Sequence, residues 1–377
     1  MLKSQKTNGE KTVKQRKYNV IDLFCGCGGF SKGFEEAGFN ICFGIDIWKD
    51  ALATYQYNFP KAIVEHEDIT NVNGHDILNK IGMSAEEIDV IIGGPPCQGF
   101  SVSGKRMIDD ERNKLYKSFV QIVSEIQPKI FVMENVPGLI RLFGGKVGEQ
   151  VLEDFSRIGY NVQMKILSAD NYEVPQQRKR VFFVGLNKNK LDNMDFSYPE
   201  PICGNGTNIP AWTCKDAISD LDFLPNDKVL GEDLPYQIGI QNKYQQKMRE
   251  NSHSILNHTI TMHSDKTKAI IAMVPDGGNY KDLPQELWNT RKVNIAWTRM
   301  NSNKPCFTID TGHNHHFHYK ENRVPTVRES ARIQSFSDTF KFIGIKTSQL
   351  KQVGNAVPPL LAKALGESIS AVLKRSK

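Results

Sequence analysis

Cys97 stands in the run Gly93-Gly94-Pro95-Pro96-Cys97-Gln98-Gly99-Phe100-Ser101. A thiol is a nucleophile only as thiolate, and it must be reachable. A lone cysteine is more often a small buried hydrophobe. Here two prolines stiffen the backbone and glycines flank them, which argues for a rigid polar loop rather than a core. Glu134, in Glu134-Asn135-Val136-Pro137, ends an apolar run. A carboxyl placed there is costly unless it is partnered or functional, and burial would raise its pKa toward that of a proton donor. Gln176-Gln177-Arg178-Lys179-Arg180 carries arginines at i and i+2, which share one face of an extended segment. One could point into a site and the other toward a phosphate or carboxylate; simple solvation is the bland alternative.

A second group suits a nucleoside. Asp22-Leu23-Phe24-Cys25-Gly26-Cys27-Gly28-Gly29-Phe30 is a glycine-rich strand-to-helix turn, where backbone can approach a ligand. It is not the dinucleotide fingerprint, because the third glycine would fall at Ser31. Asp46 closes Phe43-Gly44-Ile45-Asp46, placed for ribose hydroxyls, and Asp68 follows the next strand, placed for an adenine. Each of these acids, taken singly, could equally be a helix N-cap. Taken together they point to S-adenosylmethionine rather than NAD.

The elements that must hold these groups alternate. Apolar runs at Tyr18–Phe24, Phe39–Ile45, Ala62–Val64, Ile88–Ile92, Ile130–Met133, Val162–Leu167 and Arg180–Leu186 have the length of buried strands. Helical spacing lies between them, as in Leu115, Phe119, Ile122, Val123 and Ile126. Such alternation predicts a parallel sheet covered on both faces, with chemistry in the loops beyond the carboxyl ends of the strands. The texture breaks at 187–325, rich in Asn, Asp, Pro and Gly. It returns as a helix over Thr326–Ser335 and an amphipathic helix over Pro358–Leu373. The expected organisation is a basic disordered tail at 1–17, a catalytic and cofactor-binding domain at 18–186 completed by 343–377, and a small irregular domain at 187–342.

Charge limits the reading. Of the formal +6 on 377 residues, the tail supplies +5 through six bases and one acid. Global basicity therefore does not argue for nucleic acid. Within the small domain, residues 187–242 hold four bases and nine acids, and residues 243–304 hold ten bases, Arg299 among them, and five acids. A docked polyanion should face the second stretch. Seven cysteines without a CxxC pair fit reduced thiols rather than a disulfide framework or a zinc site, and no metal is expected. No run approaches 18 apolar residues, which is the expectation for a chain with no membrane partner.

In this order, Asp22–Phe30, Gly93–Ser101, Glu134–Val136, Gln176–Arg180, Arg328–Arg332 and Gln352–Pro358 (Gln-Val-Gly-Asn-Ala-Val-Pro) resemble the motifs of the DNA (cytosine-5)-methyltransferases, over about 18–186 and 323–377. The short chain is similar to the bacterial modification enzymes. The resemblance implies a Rossmann-like α/β S-adenosylmethionine-dependent methyltransferase fold with a smaller target-recognition domain. It implies double-stranded DNA as substrate and S-adenosylmethionine as cofactor. Cys97 would add to C6 of a flipped cytosine, Glu134 would hold or protonate N3, and Arg178 would bind O2; Arg180 belongs to the same catalytic set. Phe24, Gly26 and Gly28 would lie at the methionine end of the cofactor, Asp46 on the ribose, and Ile47, Asp68 and Ile69 at the adenine. Pro95, Leu115 and Asn355 would complete the pocket. Asp46 departs from the family's frequent Glu. The segment 101–112 would close on DNA, with Ser101, Ser103, Lys105 and Arg112 in contact. Arg299 and His315, the latter within a cluster with His313, His316 and His318, are further DNA-contact candidates. Trp288 and Trp297 are expected in the small-domain core. A partner endonuclease, a monomer and a cytoplasmic, nucleoid-associated location in bacteria follow from the same resemblance. RNA (tRNA) cytosine-5 methylation and a catalytically inactive DNA-binding regulator are the alternatives.

Overall fold

The computed structural model describes residues 16–96, 113–224, 229–231, 233–290, 297–311 and 316–376. Its centre is a seven-stranded sheet built from β1 (Asn19–Leu23), β2 (Asn40–Asp46), β3 (Ile63–His66), β4 (Ile88–Gly93), β5 (Ile130–Asn135), β6 (Tyr160–Ser168) and β8 (Lys179–Asn187). The order is β3-β2-β1-β4-β5-β8-β6. Helices α1 (Gly29–Glu36), α2 (Lys49–Asn58), α3 (Gly74–Ile81), α4 (Lys114–Ile126) and α5 (Lys146–Arg157) alternate with the first strands. β1, β4 and β5 are buried along nearly their whole length and read as unbroken apolar runs, as strands covered on both faces must.

One expectation is corrected. The sheet is mixed, because β8 runs antiparallel to both β5 and β6. The connection from β6 to β8 spans only residues 169–178 and carries a single 3-10 turn at Ala169–Tyr172 plus the two-residue β7 (Gln176–Gln177). That is too short for the helical crossover a parallel pair requires, so the chain reverses.

The rest of the chain folds into short pieces: α6 (Cys214–Ile218), β9 (Asp233–Leu234), α7 (Lys243–Arg249), β10 (Ile255–Leu256), α8 (Asp265–Met273), β11 (Thr298–Arg299), β12 (Cys306–Phe307) and β13 (His316–Phe317). Ile270, Ile271, Val274, Leu283, Trp297, Phe317 and Val324 form a separate apolar cluster here, so Trp297 is core. Trp288 stays 37% exposed, its indole N–H donating to the Leu283 carbonyl.

Helix α9 (Val327–Ile333) begins at Thr326, whose hydroxyl and the Glu329 carboxylate cap each other's backbone N–H. It carries a buried ion network. Arg332 binds Asp338 at 2.6 Å and Asp220 at 3.1 Å, and Arg323 binds Glu329. Arg328 donates to the carbonyls of Leu256, Ser337 and Phe340. Helices α10 (Lys346–Asn355) and α11 (Pro359–Arg375) close the chain. The stretch Lys346–Arg375 is apolar enough by composition to cross a bilayer, yet 72% of its most apolar window is buried inside the protein. α11 lies on α1, where a Cβ at Gly33 would stand 2.4 Å from the Ala362 Cβ and the Pro359 carbonyl. Only glycine lets the two helices approach that closely.

Candidate active site

The carboxyl ends of β1, β2, β4 and β5 open into one cavity of about 930 Å³. The turn after β1 is built from left-handed backbone: Phe24 at φ 62°, Gly26 at 53° and Gly28 at 95°. Phe24 has a Cβ and adopts this region at a cost of order 1–3 kcal/mol, a strain found where a site dictates the backbone. The turn is pinned by Asp46, whose carboxylate accepts the N–H of Gly26 at 2.9 Å and of Trp48 at 2.9 Å. Burial raises the Asp46 carboxyl above its ordinary range, and these backbone donors pull it back.

The expected cofactor residues Phe24, Gly26, Asp46, Ile47, Asp68, Ile69, Pro95, Leu115 and Asn355 all line this cavity. Gly28 does not. It caps α1, and a Cβ there would meet the Phe59 ring at 2.4 Å, so its demand is packing as well as conformation. Asp68 accepts the Thr70 N–H and so also caps the short turn Ile69–Asn71. Capping does not exhaust either carboxylate: Asp46 takes one N–H on each oxygen, and Asp68 takes the Thr70 N–H and hydroxyl on Oδ1 alone, leaving Oδ2 for a ligand.

Glu134 faces the same cavity from the end of β5. Its Oε1 pairs with the Arg180 Nε at 2.8 Å, and a Cβ on Gly94 would lie 3.0 Å from its Oε2. The carboxyl therefore lies against the Gly94-Pro95 loop, which Asn135 holds by donating to the Pro95 carbonyl at 2.9 Å. Burial raises the Glu134 carboxyl; Arg180 first, then Arg178, oppose it. Arg178 is placed differently. Its guanidinium donates to the carbonyls of Ile309 (3.2 Å) and Gly354 (2.8 Å), while its Nε is buried without a partner. Burial and the neighbouring Arg180 lower it to about 9.

Several residues that line the cavity escape sequence reasoning. Asp22 is fully buried, accepts from the Ser31 hydroxyl at 2.6 Å, and is pushed up to about 8 by burial. Its position inside the glycine-rich motif was the available signal. Trp48 and Lys351 are adjacent across the rim, the ammonium 5.0 Å from the ring centroid. Thr308, Ile309, Asp310 and Thr311 reach the cavity from the stretch after β12. They arrive there because β12 pairs parallel with β7, Cys306 opposite Gln176. The Gln176 amide oxygen accepts the Ile309 N–H, and the Thr308 hydroxyl donates to the Gln177 carbonyl. No local pattern announces a contact across some 130 residues.

One DNA-contact expectation, Arg299, is corrected. Arg299 is 5% exposed and donates to the carbonyls of Ile271, Val274, His318 and Glu321 and to Asn322. It ties α8 to the chain around β11 and β13 and has no donor left for DNA. Of the histidine cluster, His318 is wholly buried beside Asp222 and Glu329, and His316 packs on the Phe307 ring. Cys97, Ser101, Ser103, Lys105, Arg112, His313 and His315 lie outside the described residues.

The sequence profile of the C-5 cytosine-specific DNA methylases matches residues 18–371. The Type II methyltransferase M1.HphI of Haemophilus parahaemolyticus is 39% identical over 93% of this chain and 86% of that protein. The Type II methyltransferase M.DdeI of Desulfomicrobium norvegicum is 40% identical over 93% of this chain and 88% of that one. Among solved structures, a DNA modification methyltransferase encoded within an E. coli prophage superposes with a TM-score of 0.78 at 29% identity, covering 95% of this chain and all of the other. The S. pombe Dnmt2 methyltransferase, at TM-score 0.57 and 16% identity, shares the fold.

Proposed function

The chain belongs to the C-5 cytosine-specific DNA methylases, which transfer a methyl group from S-adenosylmethionine to cytosine C5 in DNA, and we propose that it does so as the modification arm of a Type II restriction–modification system. The names of the relatives at 39% and 40% identity support that role, and with it a cognate endonuclease reading the same short site. The protein works as a monomer on duplex DNA in the bacterial cytoplasm and nucleoid. The relatives lend the RNA and inactive-regulator readings no support.

The observation that carries the site assignment is the Glu134–Arg180 pair against the Pro95 loop, in the cavity that also holds Asp46 and Asp68. The cavity's volume, its glycine-rich turn and its carboxylates at successive strand ends fit S-adenosylmethionine. Bound there, the cofactor supplies an electrophilic methyl group on a sulfonium. Asp46 would hold the ribose, and Ile47, Asp68 and Ile69 the adenine.

Cytosine C5 is too weak a nucleophile to take that methyl unaided. The target base leaves the duplex stack, at a cost of a few kcal/mol. Cys97 adds as thiolate to C6, which makes C5 enamine-like. Glu134, with its raised pKa, holds or protonates N3 so that charge does not build on the ring. We assign the O2 contact to the Arg178/Arg180 pair, with Arg180 nearer the base because it is bonded to Glu134. Once C5 carries the methyl group and S-adenosylhomocysteine has left, a base removes the C5 proton and that electron pair expels Cys97 as thiolate. Ser101, Ser103, Lys105, Arg112 and His315 are assigned to DNA. The domain division at 187 and 343 follows from the same reading, residues 187–342 carrying target recognition.

The test is bisulfite sequencing of plasmid DNA from a methylation-free host with and without the gene. Protected cytosines within one recurring motif are expected, and Cys97→Ser should abolish them while DNA binding persists. Full protection by Cys97→Ser would sink the covalent step.

A further inference from the structure

A second cavity, of about 490 Å³, opens beside the candidate active site. Ser168, Gln177, Lys179, Arg180, Asn205 and Thr308 are on its wall. Arg180 and Thr308 line both cavities, so the two are neighbours across one guanidinium. Ser168 lies opposite Lys179 in the β6–β8 register, which puts both at the same end of the large sheet.

Asn205 is carried to this place by a loop, and the loop is fixed. The N–H groups of Ile202 and Cys203 both donate to the Asn171 carbonyl, the Cys203 thiol donates to the Asp170 carbonyl, and the Tyr172 hydroxyl donates to the Pro199 carbonyl. The loop therefore sits on the Ala169–Tyr172 turn that ends β6. Gly204 and Gly206 take left-handed backbone on either side of Asn205, at φ 74° and 84°. The Thr207 hydroxyl closes the turn by donating back to the Gly204 carbonyl. Residue 205 falls in the stretch expected to carry recognition, yet its loop is anchored on the catalytic sheet.

The side chains on this wall still have bonds to give. Among the described residues the Asn205 and Gln177 amide groups make no hydrogen bond, and the Lys179 ammonium meets no carboxylate. Asp170, also on the wall, takes the Ser168 hydroxyl, and Arg180 is held by Glu134. An amide is at once a donor and an acceptor, which matches a base edge; a phosphate only accepts. The neighbour of a flipped cytosine lies one step along the strand, about 3.4 Å in stacked DNA. A cavity that shares Arg180 with the base site is within reach of that step.

We propose that Asn205, together with Gln177, reads the base adjoining the target cytosine on the same strand, so that one position of the recognised sequence is set from the catalytic sheet. This rests on the flipped cytosine lying against Glu134 and Arg180.

Single-turnover methylation by the full chain should be followed on the duplex carrying the recognised sequence and on duplexes altered at each position in turn. Asn205→Ala should lower discrimination at one adjoining position about tenfold, as loss of an amide–base contact implies, and leave every other position within about twofold. Gln177→Ala should loosen the same position. Asn208→Ala, in the same loop but off the cavity wall, should loosen none. S-adenosylhomocysteine affinity should match the parent's throughout, which shows the fold intact. An equal loss on every duplex would overturn the proposal, since Asn205 would then grip the backbone or hold the loop. Unchanged discrimination at both adjoining positions would overturn it too, and so would loosening at a more distant one. If the unsubstituted protein methylates no duplex at all, the function reading itself falls, and this proposal with it.

Discussion

Gly354→Ala should weaken the enzyme at the point where its two halves touch. In isolation the change is favourable: Gly354 lies in α10 with ordinary helical backbone, and alanine is preferred there by up to about 1 kcal/mol. The contacts decide otherwise. A Cβ at 354 would stand 2.2 Å from the Asp310 carbonyl oxygen and 2.6 Å from its carbon, both backbone atoms that cannot rotate away. Ordinary contact begins near 3.4 Å, so the seam must open by about 1 Å. Overpacking of this kind costs about 1–3 kcal/mol. Arg178 spans the same seam, bonded to Ile309 at 3.2 Å and Gly354 at 2.8 Å, and one of those bonds must break. A hydrogen bond from a charged donor is worth about 1.5–3 kcal/mol. After the helical gain, the net loss is about 2–5 kcal/mol. Thermal unfolding should drop by several degrees, and the KM for S-adenosylmethionine should rise about tenfold, because Thr308–Thr311 form part of the wall of the cavity proposed to hold it. Gly138→Ala, where a Cβ meets nothing within 4 Å, is the control and should leave both values alone. An alanine variant at 354 that melts at or above the parent, with KM unchanged, would refute the steric argument.

Glu134→Gln removes the proposed proton donor and leaves Arg180 without its carboxylate. Methyl transfer should fall about a hundredfold or more while cofactor affinity, read by calorimetry, stays within about threefold. Arg332→Met strands the buried carboxylates of Asp220 and Asp338; a loss of about 3–5 kcal/mol should appear in denaturant unfolding, against less than about 0.5 kcal/mol for the surface pair partner Arg157→Ala. Asp22 is raised from 3.8 to about 8, so the folded state holds its proton more tightly than the unfolded chain does. Its favourable contribution is complete below about pH 4 and is lost as pH climbs through 8. Denaturant midpoints between pH 5 and 9 should therefore decline less steeply for Asp22→Asn than for the parent, and parallel slopes would count against a buried neutral Asp22.

The strands of the large sheet were legible because a strand covered on both faces has few options but Val, Ile, Leu and Phe. The loops beyond them were legible because glycine, proline and acid at a strand end are costly without a reason. The direction of β8 was not read, although the ten residues between β6 and β8 carried the signal; Arg180–Leu186 is apolar whether its neighbours run parallel or not. Arg299 was misjudged because an arginine answering four carbonyls and one facing a phosphate look alike in sequence. Asp22 was overshadowed by the glycines that follow it. The reach of Thr308–Thr311 into the cavity depends on β12 finding β7, a pairing of two residues with no periodicity to betray it.

That pairing has an evolutionary side. The stretch 306–309 meets the Pro175–Arg178 segment largely through its own main chain: the Pro175 carbonyl takes the Cys306 N–H, Gln176 reads the Ile309 N–H, and Arg178 reads the Ile309 carbonyl. Main-chain groups are the same whatever the side chains are. If residues 187–342 carry recognition, as proposed above, a lineage can rewrite most of that segment without disturbing the joint, provided a short extended stretch still lies beside β7. New sequence specificities would arise by exchange or drift of the segment alone, while the chemistry is inherited unchanged.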